Sequence, residues 1–355
     1  MSGRKYPLAI DLFCGAGGLT LGLRRARFKV VAAVEIDPLA VETYRANFPG
    51  VKVWETDIRK LTVAEVKRTL DLRSGELALL AGCPPCQGFS ALRSRNGSRA
   101  VKDDRNDLVL EFERFVRGLR PKAILLENVP GLVTDRRLRR LERTLRSLGY
   151  SVAVRVLDAA RHGVPQRRRR MILTASRYGP VASADEVSER LSVRSAIGSL
   201  PRPGQSGDEL HDLEERRDPR IARLIARVPR DGGSRHDLGQ RAQLKCHQGF
   251  DGFNDIYGRM AWAEVAPTIT SGCVNPSKGR FLHPSQNRAI TLREAALLQG
   301  FPADYFFSLR RGKFAAAEMI GNALPPEFVK RQAVKIREHL NEAANVRARR
   351  MHVGN

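Results

Sequence analysis

The chain has 355 residues, enough for one large domain with a generous core and a smaller second one. Its 62 Lys and Arg against 38 Asp and Glu give a formal net charge of +24, which points to a polyanionic partner, nucleic acid ahead of an acidic membrane surface. Five scattered cysteines (Cys14, Cys83, Cys86, Cys246, Cys273) argue against a disulfide framework. No signal-peptide pattern opens the chain, and no apolar run approaches the roughly 20 residues of a membrane helix, so a soluble, cytoplasmic protein is expected.

Short apolar strands are predicted over 8–13, 30–35, 52–54, 76–81, 122–127, 152–157 and 171–175. Helical spacing falls between them over 19–26, 39–47, 108–119 and 136–148. That alternation predicts an α/β fold with a doubly wound, mostly parallel, Rossmann-like sheet. The first strand runs into Asp11-Leu12-Phe13-Cys14-Gly15-Ala16-Gly17-Gly18, a glycine loop that lets backbone approach a ligand at a helix start. Its Gly15-x-Gly17-Gly18 spacing departs from the dinucleotide fingerprint, which counts against NAD. Glu35 ends the second strand, where a carboxylate can take two ribose hydroxyls. Asp57-Ile58 follows the third, placed to bind and sandwich an adenine.

The fourth strand empties into Gly82-Cys83-Pro84-Pro85-Cys86-Gln87-Gly88-Phe89-Ser90, a stiff loop bearing a thiol. The fifth ends in Glu127-Asn128-Val129, and Gln166-Arg167-Arg168-Arg169-Arg170 precedes the last. A thiol, a carboxylate and an arginine fork at strand edges suit attack on an electron-poor ring. The competing reading of Cys83 and Cys86 is half a zinc site or a redox couple. Zinc needs about four ligands, and with no second CxxC they would have to come from Cys246, His247, Cys273 and His283, so no metal is expected.

From 178 to 284 the chain becomes rich in Pro, Gly, Ser and charge, which predicts a second domain of loops and short strands. Helices are predicted over 291–298 and 326–340, and the basic, patternless end reads as frayed. The expected division is 1–177 plus 318–345 for the large domain, 178–317 for the small one and 346–355 for a disordered tail.

The order of these pieces resembles the DNA (cytosine-5)-methyltransferase family, in its compact prokaryotic form. Two later stretches extend the resemblance. One runs from Arg288-Ala289-Ile290-Thr291 to Gln299-Gly300-Phe301-Pro302; the other is Gly321-Asn322-Ala323-Leu324-Pro325-Pro326, with Leu where Val is commoner. The resemblance implies S-adenosylmethionine as cofactor, contacted by Phe13, Gly15, Gly17, Gly18, Glu35, Ile36, Asp57, Ile58, Pro85, Leu108 and Asn322. It makes Cys86 the nucleophile that adds to cytosine carbon-6, so that carbon-5 can take the methyl group, and leaves Cys83 to packing. Glu127 would hydrogen-bond the ring nitrogen and exocyclic amine, which asks for a carboxyl able to hold a proton in a pocket closed by the base. Arg170 would hold the cytosine carbonyl, and Arg168 would meet phosphate or favour the Cys86 thiolate. The base must leave the stack to react, with Gln87 and Ser90 touching the DNA beside it.

The variable segment falls where the family places its target-recognition domain. Gln166, Arg235, Lys245, Gln248, Arg259 and Lys278 are the expected DNA contacts, and those of the variable segment are equally compatible with solvated positions. The implied partner is double-stranded DNA, together with a cognate restriction endonuclease if the enzyme protects a genome; a monomer suffices. Two alternatives stay open: a transfer-RNA methyltransferase of the same family, and an inert DNA-binding protein. Against the first, the RNA branch tends to carry Pro-Phe-Thr where this chain has Gly88-Phe89-Ser90.

Overall fold

The computed structural model describes residues 6–85, 107–239 and 255–353. The chain divides into two compact units, one of residues 1–158, 169–186 and 326–355, the other of 159–168 and 187–325. The boundaries thus differ from the expected 177/178 and 317/318. Residues 159–168 join the second unit because Pro165 and Arg167 form backbone hydrogen bonds with Ala266 at 3.0 and 2.9 Å.

The first unit is built in the order β1 (Leu8–Leu12), α1 (Gly18–Arg25), β2 (Lys29–Glu35), α2 (Pro38–Asn47), β3 (Lys52–Glu55), α3 (Val63–Leu70), β4 (Leu79–Gly82), α4 (Leu108–Leu119), β5 (Ala123–Asn128), α5 (Arg136–Ser147), β6 (Ser151–Asp158) and β7 (Arg169–Ser176). Its seven strands form one sheet in the order β3-β2-β1-β4-β5-β7-β6. β1 to β5 are mutually parallel, while β7 enters antiparallel between β5 and β6. Helices on both faces explain the unbroken apolar runs: every residue of β4 and of β5 is buried. One core cluster joins Ile10, Leu12, Leu80, Ile124 and Leu126 to Phe112, Phe115 and Val116 of α4 and to Leu138, Leu141 and Leu145 of α5. Each such side chain contributes about 1.5–3 kcal/mol on burial.

Helix starts follow the local chemistry. Asp37 accepts a hydrogen bond from Leu39 N ahead of Pro38, Thr62 from Glu65 N, and Asp135 from Arg137 N. The predicted fourth strand begins three residues late, at Leu79, because Arg73 to Glu76 turns on its own backbone hydrogen bond.

The second unit contains the short helices α6 (Val193–Ile197), α7 (Glu209–Asp212) and α8 (Pro219–Arg227), followed by α9 (Leu292–Leu298) and α10 (Gly312–Asn322). It is rich in loops, as the composition suggests. Among the described residues its extended pairings are isolated bridges, such as Gln166 with Ala266 and Arg259 with Leu282, rather than strands. A separate small core of Leu224, Ile225, Val228, Leu238, Tyr257 and Leu282 holds α8.

The chain returns to the first unit as α11 (Pro326–Val353). The disordered tail expected over 346–355 is instead helical as far as Val353; Ala343, Ala344, Ala348 and the neighbouring arginines are good helix formers. No helix among the described residues is long and apolar enough to cross a membrane.

α11 packs against α1, and Gly22 sets their separation. A Cβ there would stand 2.4 Å from Val329 Cβ and 2.6 Å from the Pro326 carbonyl oxygen. Backbone cannot swing aside as a side-chain end can, so Gly22→Ala should destabilise the first unit by about 1–3 kcal/mol. A urea unfolding midpoint equal to that of the wild type would show that the two helices slide freely.

Candidate active site

Four neighbouring parallel strands deliver the expected cofactor residues to one rim of the sheet. Phe13 follows β1, Glu35 ends β2, Asp57 lies two residues beyond β3 and Pro85 three beyond β4. All four are half-buried, Leu108 is likewise half-buried at the start of α4, and Ile36 is exposed. The glycine loop has the conformation its composition predicts, with positive φ at Gly15 (51°) and at Gly17 (95°), the N-cap of α1. Gly17 and Gly18 are buried.

Phe13 also has a positive φ, 63°, an outlier for a bulky side chain and the kind of strain retained at ligand sites. Glu35 clamps this loop: its Oε2 accepts from Gly15 N at 2.9 Å and its Oε1 from Ile36 N and Asp37 N at 2.9 and 3.0 Å. A carboxylate has about four acceptor positions, so Glu35 both shapes the loop and keeps capacity for a hydroxyl. Asp57 is drawn to Arg59 at 2.7 Å, and that partner holds its carboxyl below the usual range. Ile58 departs from the expectation: its side chain is 4% exposed and belongs to the core. Asn322 is exposed at the end of α10, within the second unit.

These residues fit a nucleoside-bearing ligand. At Gly15 the space a Cβ would occupy is open to 4 Å, so backbone lies accessible in front of a carboxylate.

Glu127 and Arg170 meet at the same rim. Glu127 is the penultimate residue of β5 and Arg170 the second of β7. The Arg170 Nε stands 2.9 Å from Glu127 Oε1, with the side chains 15% and 11% exposed. Arg170 also donates from Nη1 to the Arg169 carbonyl at 2.8 Å, which fixes its plane. The pair presents a carboxylate and a guanidinium side by side, a donor and acceptor set matched to the edge of a planar base.

Cys86, Gln87 and Ser90 lie outside the described residues, as do Lys245 and Gln248. The start of the cysteine loop is nevertheless held. Asn128 Nδ2 donates to the Pro84 carbonyl at 3.0 Å, while its Oδ1 accepts from Val129 N. Asn128 thus fastens the backbone two residues before Cys86 to the strand that carries Glu127. The sequence offered one signal for it, adjacency to Glu127, and no role.

Several expected DNA contacts are structural instead. Gln166 is fully buried in the second unit, donating to Gln299 Oε1 at 2.7 Å and accepting from Ile269 N at 2.8 Å. Arg168 is 3% exposed and donates to the carbonyls of Ile269 and Gly321 at 3.0 and 3.1 Å, so these donors meet backbone rather than phosphate; its alternative role beside the Cys86 thiolate falls on a residue outside the described ones. Arg259, fully buried, donates to the carbonyls of Val228, His283, Gln286 and Ile225 and to Asn287 Oδ1. Arg235 is 1% exposed. Arg168 and Arg259 stand inside because the loops of this unit supply carbonyls that no strand consumes. Lys278 alone of the described recognition residues is exposed.

Beneath the glycine loop, Thr20 Oγ1 donates to Asp11 Oδ2 at 2.7 Å and lies 2.7 Å from the Tyr44 hydroxyl. Complete burial pushes the Asp11 carboxyl up to about 8, with Glu35 adding repulsion and Thr20 opposing the shift.

Folded Asp11 therefore keeps its proton to about pH 8, whereas the unfolded chain releases it near the ordinary value of 3.8. Its contribution to stability is full below pH 4 or so and is lost as pH rises through 8. Asp11→Asn should flatten that decline in urea midpoints taken between those limits, and an unaltered slope would remove Asp11 as its source. Arg259→Lys leaves several buried acceptors without donors, at about 1–3 kcal/mol each. It should lower the unfolding midpoint; a base-reading role would instead leave the midpoint unchanged and weaken DNA binding alone.

The C-5 cytosine-specific DNA methylase family matches residues 8–338. The chain is 36% identical over 361 residues to the Type II methylase M.HgiDII of Herpetosiphon aurantiacus, covering 95% of this chain and 98% of that protein. It is 34% identical over 325 residues to the Type II methyltransferase M1.HphI of Haemophilus parahaemolyticus, covering 89% and 83%. Among solved structures, a DNA modification methyltransferase encoded within an E. coli prophage superposes with a TM-score of 0.68 at 26% identity, covering 94% of this chain and 99% of that one. The S. pombe Dnmt2 methyltransferase reaches 0.60 at 20% identity, with 94% and 99% covered, and shares the fold. The glycine loop, the Glu127–Arg170 pair and a match running almost the whole length converge on one conclusion: the chain belongs to the C-5 cytosine-specific DNA methylase family and is a DNA cytosine methyltransferase.

Proposed function

We propose that the enzyme methylates carbon-5 of a flipped-out cytosine within one short sequence of double-stranded DNA, through a covalent Cys86 adduct and with S-adenosylmethionine as donor. The observation that carries this reading is the Glu127–Arg170 pair, 2.9 Å apart on the rim where Asn128 fastens the cysteine-bearing loop.

In this reading the Cys86 thiolate adds to carbon-6, and the electron pair of the 5,6 double bond becomes available at carbon-5. Glu127 receives the exocyclic amine and protonates or hydrogen-bonds the ring nitrogen, so that charge building on the ring is met as the thiolate adds. Arg170 directs its remaining donors at the carbonyl and holds Glu127 in register. S-adenosylmethionine, when bound, supplies the electrophilic methyl group. A base then removes the carbon-5 hydrogen and the thiolate departs, restoring the ring. Phe13, the glycine loop, Glu35, Ile36 and Asp57 would hold the nucleoside end of the cofactor, with Pro85, Leu108 and Asn322 as further contacts. Arg168, bound to two carbonyls, supports the second unit's backbone, and its positive charge would favour the Cys86 thiolate.

Lys278, Gln87, Ser90, Lys245 and Gln248 remain candidates for contact with DNA. Two relatives are named as Type II enzymes, which favours a partner endonuclease acting on the same sequence. The net charge of +24 agrees with a nucleic-acid substrate. In this reading the enzyme acts as a monomer in the cytoplasm.

Labelled S-adenosylmethionine offered with genomic DNA and transfer RNA in parallel, followed by base-resolution mapping, tests the reading. Label should appear on cytosine carbon-5 in DNA within one sequence. Label on transfer RNA alone would replace the substrate. Cys86→Ser should bind DNA but transfer no methyl group, and Glu127→Gln should lose about 100-fold or more in turnover. Methyl transfer surviving in the serine variant would reject Cys86 as nucleophile.

A further inference from the structure

We infer that the outer face of α5 is a docking rail for the phosphates of duplex DNA outside the target sequence, an inference that rests on the enzyme acting on DNA. α5 reads Arg136-Arg137-Leu138-Arg139-Arg140-Leu141-Glu142-Arg143-Thr144-Leu145-Arg146-Ser147. Its leucines are fully buried in the core, and Arg136, Arg139, Arg140, Arg143 and Arg146 are exposed on the other side.

The charges on this helix are not equivalent. Arg137 is held by Asp107 and Asp135 at 2.6 and 3.4 Å, Arg140 stands 3.4 Å from Glu113, and Arg146 stands 3.7 Å from Glu142. Arg136, Arg139 and Arg143 have no acidic partner among the described residues. They fall at i, i+3 and i+7, one stripe of the helix, and with Glu142 and Arg146 they line a groove of about 440 Å³. Like charges so spaced repel, which a folded protein tolerates where a polyanion relieves it.

Two features select DNA over an acidic protein. The exposed face offers arginines, Glu142 and Ser147 but no aliphatic or aromatic anchor, and protein interfaces centre on such anchors. The stripe also runs about 10 Å along the axis at 1.5 Å per residue, long enough to meet neighbouring phosphates of one strand. The face belongs to the first unit and begins eight residues beyond Asn128, so it adds affinity without reading bases. A tether of that kind would let the enzyme stay on DNA while it searches.

The test is the salt dependence of binding to a duplex without the target sequence, measured by fluorescence anisotropy on the full chain. Replacing Arg136, Arg139 and Arg143 together by Gln should lower the slope of log affinity against log salt by about 2–3, near 0.9 for each phosphate no longer neutralised. It should weaken target and non-target duplexes alike. The same three positions changed to Lys keep the charges and should restore the wild-type slope. A matching melting temperature shows that each variant is folded. A Gln variant with the wild-type slope would overturn the inference, whether or not it had lost an acidic protein partner. Equal loss in the Gln and Lys variants would overturn it too. If the wild type itself neither binds nor methylates DNA, the reading of the function has failed instead, and the docking rail with it.

Discussion

Five parallel strands have to end at the same rim, and everything chemical in this protein depends on that. Each strand feeds a connection that crosses back over the sheet, so the loops after β1, β2, β3, β4 and β5 collect at one edge while helices cover both faces. Residues far apart in the chain, such as Phe13, Glu35, Asp57 and Pro85, thereby become neighbours along the order β3-β2-β1-β4. β7 obeys the same constraint from the opposite direction. Because it runs antiparallel to β5, its beginning faces the end of β5, with Asn128 opposite Met171. That is why the arginine motif precedes its strand whereas the thiol and carboxylate motifs follow theirs.

The rim works only if the loops are tied to it, and short polar bonds do this. Glu35 pins the glycine loop through Gly15 N, and Asn128 pins the cysteine loop through the Pro84 carbonyl. Both are residues at strand ends reaching sideways to a neighbouring loop. The resulting geometry is fixed by main-chain partners, which keeps side-chain donors and acceptors at the edge for a ligand. Asp11 shows the cost of building so close: a carboxyl buried under the loop keeps its proton to about pH 8 because desolvation outweighs its hydrogen bond with Thr20.

The net charge of +24 is distributed less simply than a count suggests. Arg168, Arg235 and Arg259 are inside the second unit, and Arg170 and Arg137 are committed to carboxylates. Loops without a ladder leave carbonyls to be satisfied, and a guanidinium with five donors satisfies several at once, as Arg259 does. The same residue type therefore serves as scaffold, as active-site fork and as solvent-facing charge, and only the surroundings separate these roles.

By itself the sequence determined the α/β alternation, the glycine loop, the order of the thiol, carboxylate and arginine motifs, and the family they resemble. Such signals are local: apolar runs of strand length, helical spacing and fixed neighbours survive in one dimension. It missed α3, α6, α7, α8 and α10, the last because Ala315, Ala316 and Ala317 give no one-sided apolar stripe, and it ended α11 too early. Tertiary structure alone decided which arginines face water, because burial of a charge depends on carbonyls brought from distant segments such as Ile225 and His283 around Arg259. It also decided that Asn128 anchors Pro84 and that Ile58 belongs to the core. A hydrogen bond spanning 44 residues leaves no mark on local composition, so its partners emerge only when the parallel strands have brought their ends together.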